Sequence, residues 1–456
     1  MLLLLCLTLA CTDKPGDSAA TDSGSGDSAD PGLDPAPDRP AEPARWSAPG
    51  DVDAVSFPAG PQAGDPGADS VVLMARSDLE EATVVVMQAD GDGWTEVARQ
   101  ALTRDPALRS FRTELTGLAP DTAYNYAFYA GDPDAGATRS AVGRFRTGLD
   151  DAGFRKLVVG ATSCLGGNEP WPNMSAIAAE DLDAFLFLGD QVYASANTLD
   201  EYRADWDPVM TTQGMIDVNT STGTISTWDD HELANNWSWD EITQDRYDAA
   251  LTAFRESLPQ TEGPTGGIWR QVQWGQVLDV FVLDSRSERD AAIGQYISPD
   301  QMTWLQEGLA GSDAAFKIIM TSVPITDMTD FIGEAAEDDR WQGFPEQRDE
   351  ILSFVDDNDI GGVLWIAGDV HFGMIATVGI PGTDGPGLDQ WEVAVGPAGS
   401  TPNVAADLWK NDQSHYQYLF STWNSTRLTL DPGTMTAQVD FVGDDGLVFA
   451  GSTLQL

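Results

Sequence analysis

Four stretches place metal-ligating side chains directly behind a short apolar run. Residues 156–160 lead to Cys164. Phe185-Leu-Phe-Leu188 leads through Gly189 to Asp190 and Tyr193. Residues 223–228 lead to Asp229, Asp230, His231, Asn235 and Asn236, and residues 363–367 lead through Gly368 to Asp369 and His371. The chain has three histidines, and two of them fall in these stretches. One aspartate behind a strand is usually a turn former. Four such strand ends, each delivering ligand-type residues, predict a dinuclear metal centre at the carboxyl end of a sheet.

The residue types fit that chemistry. Asp190 offers two hard oxygens, so it is the natural bridge between two cations. A Cys164 thiolate and a Tyr193 phenolate suit a soft or charge-transfer position such as ferric iron. Asp369 and His371 are two apart, so they reach two different metals only if the chain bends there. Otherwise one ligates and the other orients it from behind. His231, beside Asp230, suits a proton donor to a leaving oxygen or a contact to a substrate phosphate. A trivalent and a divalent cation close together clamp a phosphoryl group, polarise it and lower the pKa of a bound water. Metal-bound hydroxide would then attack phosphorus in line, with no protein nucleophile. Arg286 and Arg289 are candidate phosphate grips, since a guanidinium binds phosphate through two bonds. Surface ion pairing is the competing reading for both.

Positioning these residues needs several strands that end together. From residue 154 onward, apolar strand runs alternate with helical periodicity. Strands are expected at 156–160, 184–188, 223–228, 269–274, 278–284, 316–321 and 363–367. Helices are expected near 177–181 and over 245–258, 299–309 and 344–358, with a mostly β tail after Trp391. The pattern predicts an α/β catalytic domain over 154–456, two packed sheets flanked by helices. Residues 52–148 read differently, as β-rich runs separated by Gly, Asp and Pro turns. Leu118-Ala-Pro-Asp-Thr-Ala-Tyr124 has the form of a fibronectin-type corner, so a small all-β sandwich of the fibronectin/Ig kind is expected, acting as a spacer. Residues 12–51 are rich in Asp, Ser, Pro, Gly and Ala without apolar periodicity and read as a disordered tether.

Charge narrows the partners. With 24 Lys plus Arg against 73 Asp plus Glu, the net charge is -49. Such a surface repels nucleic acid and anionic membranes. It also repels phosphate esters, so a phosphate-handling site needs local cations. The apolar run at residues 2–10, ending before Cys11, has the form of an export signal and is too short to span a bilayer. Ala10-Cys11 resembles a lipobox end, which would make Cys11 lipidated and Cys164 the sole thiol of the folded body. No basic residue precedes the run, and Thr8 and Leu9 depart from the lipobox pattern, so a soluble secreted form stays open.

Together, Cys164, Gly189-Asp190-x-x-Tyr193, Trp228-Asp-Asp-His-Glu232-x-x-Asn-Asn236 and Gly368-Asp-Val-His371 resemble the motif set of the alkaline phosphatase D (PhoD-like) family of metallophosphoesterases. Thr198–Arg203, Leu283–Arg286 and Trp341–Arg348 resemble its connecting stretches. Residues 57–76 and 117–144 resemble its N-terminal domain. The resemblance spans roughly 52–456. It implies an Fe(III) and Ca(II) centre that hydrolyses phosphate monoesters and diesters outside the cytoplasm, including small-molecule, lipid- or nucleotide-derived esters. It places Cys164, Asp190, Tyr193 and His371 on iron, and Asp190, Asp230 and Asp369 on calcium. Asn235 is the further expected calcium contributor, with Asp229 and Asn236 as open alternatives. Two departures stand out: a short Tyr193–Trp228 segment, and Ser322-Val-Pro324 in place of a more polar stretch. His415 takes no role. The competing readings are a phosphodiesterase or phospholipase-like enzyme with the same centre, and a non-catalytic phosphatase-like protein displayed at the cell surface.

Overall fold

The computed structural model describes residues 34–91, 93–328, 339–404, 406 and 415–456. The expected export signal and the first part of the expected tether lie outside these residues.

Strands β1 (Pro61–Gly64), β2 (Ser70–Arg76), β5 (Ser110–Thr116), β8 (Leu157–Thr162), β9 (Ala184–Leu188), β10 (Gly223–Thr227), β18 (Ser425–Asp431), β19 (Thr436–Val442) and β20 (Val448–Gln455) form one sheet. Its order is β20-β19-β18-β8-β9-β10-β1-β2-β5. Strands β11 (Arg270–Trp274), β12 (Leu278–Val282), β13 (Phe316–Met320), β14 (Val363–Ala367), β15 (Gly373–Thr377), β16 (Trp391–Ala394) and β17 (Tyr416–Phe420) form a second. Its order is β11-β12-β13-β14-β16-β15-β17. Strands β3 (Glu81–Asp90), β4 (Gly93–Thr103), β6 (Ala123–Tyr129) and β7 (Gly143–Arg146) form a third, ordered β4-β3-β6-β7.

The two large sheets pack face to face. Leu157, Val159, Leu186 and Leu188 of the first join Val280, Val282, Ile318, Met320, Leu364 and Ile366 of the second in one buried cluster. The intervening residues of the same strands point the other way. Phe185 and Phe187 pack on helices α1 (Pro172–Ala178), α2 (Leu199–Thr211), α3 (Gln213–Ser221) and α4 (Gln244–Ser257), through Ile177, Trp206, Val218 and Phe254. Phe281, Ile319 and Trp365 pack on α5 (Pro299–Gly311) and α6 (Pro345–Asp357), through Leu305, Leu309, Ile351 and Val355. Strands buried on both faces read as unbroken apolar runs rather than alternating ones. The expected two-sheet sandwich flanked by helices is therefore the observed fold.

Several local features follow directly from sequence. Helix α2 opens on a capping box in which Thr198 Oγ1 accepts from the Glu201 N–H and the Glu201 carboxylate accepts from the Thr198 N–H. In the corner at Leu118–Tyr124, the Ala119 N–H donates to Tyr124 Oη at 2.8 Å. Helix α1 includes Ile177 and Ala178 of the expected 177–181 segment and ends there, starting earlier, at Pro172. β9 then begins at Ala184, just after Asp183, whose carboxylate accepts from the Val158 N–H.

Two expectations need correction. The β-rich N-terminal region is not a sandwich built only from its own strands. Residues of β2 and β5 pack on β3, β6 and β7 as expected, burying Leu73, Phe111, Tyr126 and Phe145. Yet β1 pairs in parallel with β10, Ala63 opposite Gly223 and Gly64 opposite Thr224, so one layer continues the catalytic sheet. The close approach here uses glycine: a Cβ on Gly64 would lie 1.9 Å from the Pro259 carbonyl oxygen. The second correction concerns residues 35–51, read as loose tether. The Ala36 N–H donates to Asp431, and the Arg39 guanidinium binds Asp183 at 3.0 Å and the Glu42 carboxylate. Glu42 also meets Arg146 at 2.9 Å, and Arg45 donates to the carbonyls of Val142 and Thr220. Low apolar content hides such a segment, because hydrogen bonds and ion pairs rather than a hydrophobic stripe hold it.

Candidate metal centre

Strands β8, β9 and β10 are mutually parallel, as are β12, β13, β14 and β16. Parallel strands deliver the residues that follow them to one end of the sandwich, and there the four stretches meet. Three overlapping ligand groups have their donor atoms within 4.8 Å of one another: Cys164, Asp190 and His371; Asp190, Asp230 and His231; and Asp190, Asp229, Asp230 and Asp369. Asp190 belongs to all three, which is the position of a bridging ligand.

The backbone bends sharply at the ligands themselves. Cys164 (φ 58°), Asp190 (φ 57°), Asp369 (φ 65°) and His371 (φ 56°) all sit in the left-handed region. For non-glycine residues this costs about 1–3 kcal/mol each, and it marks functional sites. The bend after β14 lets Asp369 join the carboxylate group while His371 joins Cys164, so the two diverge. Gly189 (φ 92°) makes the tight exit from β9. A Cβ there would lie 2.5 Å from Asp229 Cβ.

Hydrogen bonds fix the first group. Tyr193 Oη donates to Asp190 Oδ2 at 3.0 Å and lies 3.0 Å from His371 Nε2. His371 Nδ1 lies 3.2 Å from the Thr401 carbonyl. That carbonyl accepts the Nδ1 proton and leaves the Nε2 lone pair facing Tyr193 and Asp190. Burial pushes the His371 pKa down and so favours the neutral, ligating form. Ser163 Oγ lies 3.1 Å from Cys164 Sγ.

The second group is held from below. Glu232 accepts three backbone N–H groups, those of Asp190 (3.2 Å), Gln191 (2.7 Å) and Asp229 (2.9 Å). Its carboxylate thereby ties the loop after β9 to the loop after β10. Burial pushes its pKa up to about 8, although those three donors pull the other way. Asp229 Oδ1 accepts from Arg286 Nε at 2.5 Å and from Ser322 Oγ at 2.8 Å. Asp230 Oδ2 accepts from the Asn236 N–H at 2.5 Å.

The donor set fits cations. Asp190, Asp229 and Asp230 are buried with Asp369 beside them, and Asp229 Oδ2 and Asp230 Oδ1 are buried without a hydrogen-bond partner among the described residues. Taking a carboxylate out of water costs on the order of several kcal/mol, and orphaned charges add to that. Burial and the neighbouring aspartates accordingly push Asp190 and Asp369 well above the usual carboxylate range. Burial and Asp190 do the same to the Cys164 thiol and the Tyr193 phenol. Positive charge among these atoms reverses the balance. The soft thiolate, phenolate and imidazole side suits a transition metal, and the all-carboxylate side a hard cation.

Some expected roles do not survive. Arg286 is fully buried, with Nε on Asp229 and one terminal nitrogen on Asp339, so its charge goes to buried acid rather than to an open face. Arg289 is spent on the same Asp339 at 3.1 Å and on the Trp237 carbonyl. Both compensate Asp339, and Arg286 alone also braces Asp229. Asn235 is exposed, and this turn touches the cluster instead through the neighbouring Asn236 N–H. His231 is half-buried, its ring tilted 31° against the Tyr193 ring with centroids 4.0 Å apart, and its backbone N–H donates to Asp190 Oδ1 at 3.4 Å.

Other residues join the site without having been anticipated. Ser400 Oγ donates to Tyr193 Oη at 2.6 Å and accepts from the Gly166 N–H at 3.0 Å. Thr401 orients His371, and Glu232 joins the loops. Arg340, Thr401 and Asn403 line a cavity with Asp369 and His371. Only Glu232 had a sequence signal, its place directly behind Asp229-Asp230-His231. Ser400 and Thr401 sit on a loop with no chemical motif of its own.

Comparison with known proteins bears on the family and the fold. The PhoD-like phosphatase family profile matches residues 158–439, and its N-terminal domain profile matches residues 44–148. Alkaline phosphatase D of Bacillus subtilis (strain 168) is 23% identical over 382 residues, covering 69% of this chain. The chain spans 64% of that relative's length. The solved structure of PhoD superposes with a TM-score of 0.75 at 22% identity, over 90% of each chain. A purple acid phosphatase from yellow lupin (Lupinus luteus) seeds gives a TM-score of 0.61 at 14% identity, over 88% of this chain and 75% of its own. At such identities the two structures establish the fold alone. The profile match covers more than half of the sequence, and on that ground the chain belongs to the PhoD-like phosphatase family.

Proposed function

We propose that this chain hydrolyses phosphate esters at the centre described above. The observation that carries the reading is the sharing of Asp190 between a Cys/His group and an all-carboxylate group. Cys164, Asp190, Tyr193 and His371 would hold an iron ion as Fe(III), and Asp190, Asp229, Asp230 and Asp369 a calcium ion. Cations there supply charge to neutralise a phosphoryl group and to acidify water. The chain does the positioning. Glu232 sets the spacing of the Asp190 and Asp229 loops, Thr401 holds the His371 tautomer, and Ser400 fixes the Tyr193 hydroxyl. His231, half-exposed beside Asp230, is the group we assign to protonate the leaving oxygen.

The substrate class is phosphate monoesters, diesters or both. The net charge of -49 argues against nucleic acid as a partner and makes phosphate handling depend on the centre itself. We assign the protein to the outside of the cytoplasm, as a secreted protein or one anchored through Cys11. The support is the apolar run at residues 2–10 and the tether composition that follows. Among the described residues, no helix is long and apolar enough to cross a membrane.

The test is elemental analysis of the protein purified without added metal, followed by monoester and diester assays of wild type and Asp190→Ala. Bound iron with calcium, and hydrolysis abolished by D190A, support the proposal. Zinc or manganese in place of iron would keep the activity but remove the ferric assignment. A well-folded, metal-loaded protein that hydrolyses neither class would shift the reading to a display protein.

A further inference from the structure

We propose that Arg340 is a substrate-binding residue of this centre, and that its guanidinium favours dianionic phosphate monoesters over singly charged diesters. This rests on the phosphoester hydrolysis proposed above. Arg340 is 8% exposed and lines a cavity of about 330 Å³ together with Asp369, Val370, His371, Thr401 and Asn403. The cavity therefore touches a member of two of the three ligand groups, Asp369 of the all-carboxylate set and His371 of the Cys/His set.

The neighbouring arginines give the contrast. Arg286 and Arg289 both spend their charge on Asp339, the residue directly before Arg340. Arg340 itself makes no ion pair among the described residues. In a chain with 73 acidic residues against 24 basic ones, a largely buried arginine without an ion pair among the described residues, on the wall that also carries Asp369 and His371, brings positive charge to the cavity beside the ligand cluster. A guanidinium stays protonated at any working pH and grips two oxygens of one phosphate at once.

Charge then separates the substrate classes. A monoester near neutral pH presents a second anionic oxygen where a diester presents a weakly accepting ester oxygen. The ligand cluster faces a phosphoryl group in both classes. Arg340 adds an interaction whose strength depends on that extra charge, and its largely buried setting strengthens it.

The test compares wild type, Arg340→Gln and Arg340→Lys as full-length, metal-loaded protein. Three quantities are read: kcat/KM on p-nitrophenyl phosphate and on bis(p-nitrophenyl) phosphate, the dissociation constant of inorganic phosphate by calorimetry, and the unfolding midpoint. For R340Q we expect monoester kcat/KM to fall roughly ten- to hundredfold, phosphate binding to weaken in parallel, and diester kcat/KM to change by less than about threefold. R340K should recover part of the monoester loss. Equal losses on both substrates together with a lowered midpoint would show a structural residue and overturn the inference, as would unchanged phosphate binding. A wild type that hydrolyses neither ester would sink the functional proposal instead, and phosphate calorimetry of wild type against R340Q would still decide the role of Arg340.

Discussion

Glu232 Oε1 accepts the Gln191 N–H at 2.7 Å while its other oxygen accepts the N–H of Asp229 at 2.9 Å. One buried carboxylate thus sets the separation of two ligand loops that leave adjacent strands. Replacing it with glutamine would turn an NH2 group toward backbone donors. Glu232→Gln should cost about 1–3 kcal/mol of stability and weaken metal binding about 10–100-fold. Denaturant titration and metal titration read the two effects. Unchanged metal affinity would show that the loops hold their own positions.

Gly189 leaves β9 at φ 92°, and any Cβ would strike Asp229. Gly189→Ala should therefore displace Asp190 from Asp229, at a cost of about 1–3 kcal/mol. The outcome to look for is loss of bound metal and of phosphatase activity in a chain that still folds. Full metal content in the purified variant would refute the steric argument.

Arg286 offers a sharp contrast between a brace and a substrate grip. Arg286→Met leaves Asp229 without its cation, while Asp339 keeps Arg289, and breaking such a buried pair costs about 3–5 kcal/mol. The expected result is a much lower unfolding midpoint. A variant with wild-type stability but a raised KM would restore the phosphate-grip role.

Metal removal should reverse the pH dependence of stability. Burial and mutual repulsion raise Asp190 and Asp369 above their unfolded values when no cation is present. A group whose folded pKa is raised contributes stability that is present below its unfolded value, about 4. That stability is lost as pH rises through the folded value. Chelator-stripped protein should thus lose stability from about pH 4 upward toward neutral pH. Metal-loaded protein should gain stability over the same range, because its ligands must be deprotonated. Calorimetric scans at several pH values, with and without metal, check both signs. Parallel slopes would contradict the buried-carboxylate reading.

The strand ends and ligand types were legible in the sequence for a physical reason. Parallel strands covered on both faces must be apolar throughout, so the first polar residues after each run mark one end of the sheet. The partners of those residues were not legible. Ser400 meets Tyr193 from 207 positions away, and Arg286 meets Asp229 from 57. Nothing local in a serine or an arginine tells which carboxylate or hydroxyl lies opposite in space. Arg286 was misread for that reason, since a guanidinium that grips phosphate and one that neutralises a buried aspartate look alike in sequence. The shared first sheet was missed similarly, because Pro61–Gly64 is four residues with no strand pattern.

The parallel pairing of β1 with β10 has a consequence for how the chain can be divided. β10 leads straight into Asp229 and Asp230. Cutting at the apparent boundary near residue 150 would strip β10 of its neighbour and leave backbone groups of Gly223 and Thr224 unpaired at the start of the strand that leads to the metal ligands. Such a naked border invites pairing with other chains. The N-terminal strands are thus less a spacer than a guard rail: they close off the catalytic sheet, and a catalytic fragment made without them would be prone to aggregate through the strand that feeds its own active site.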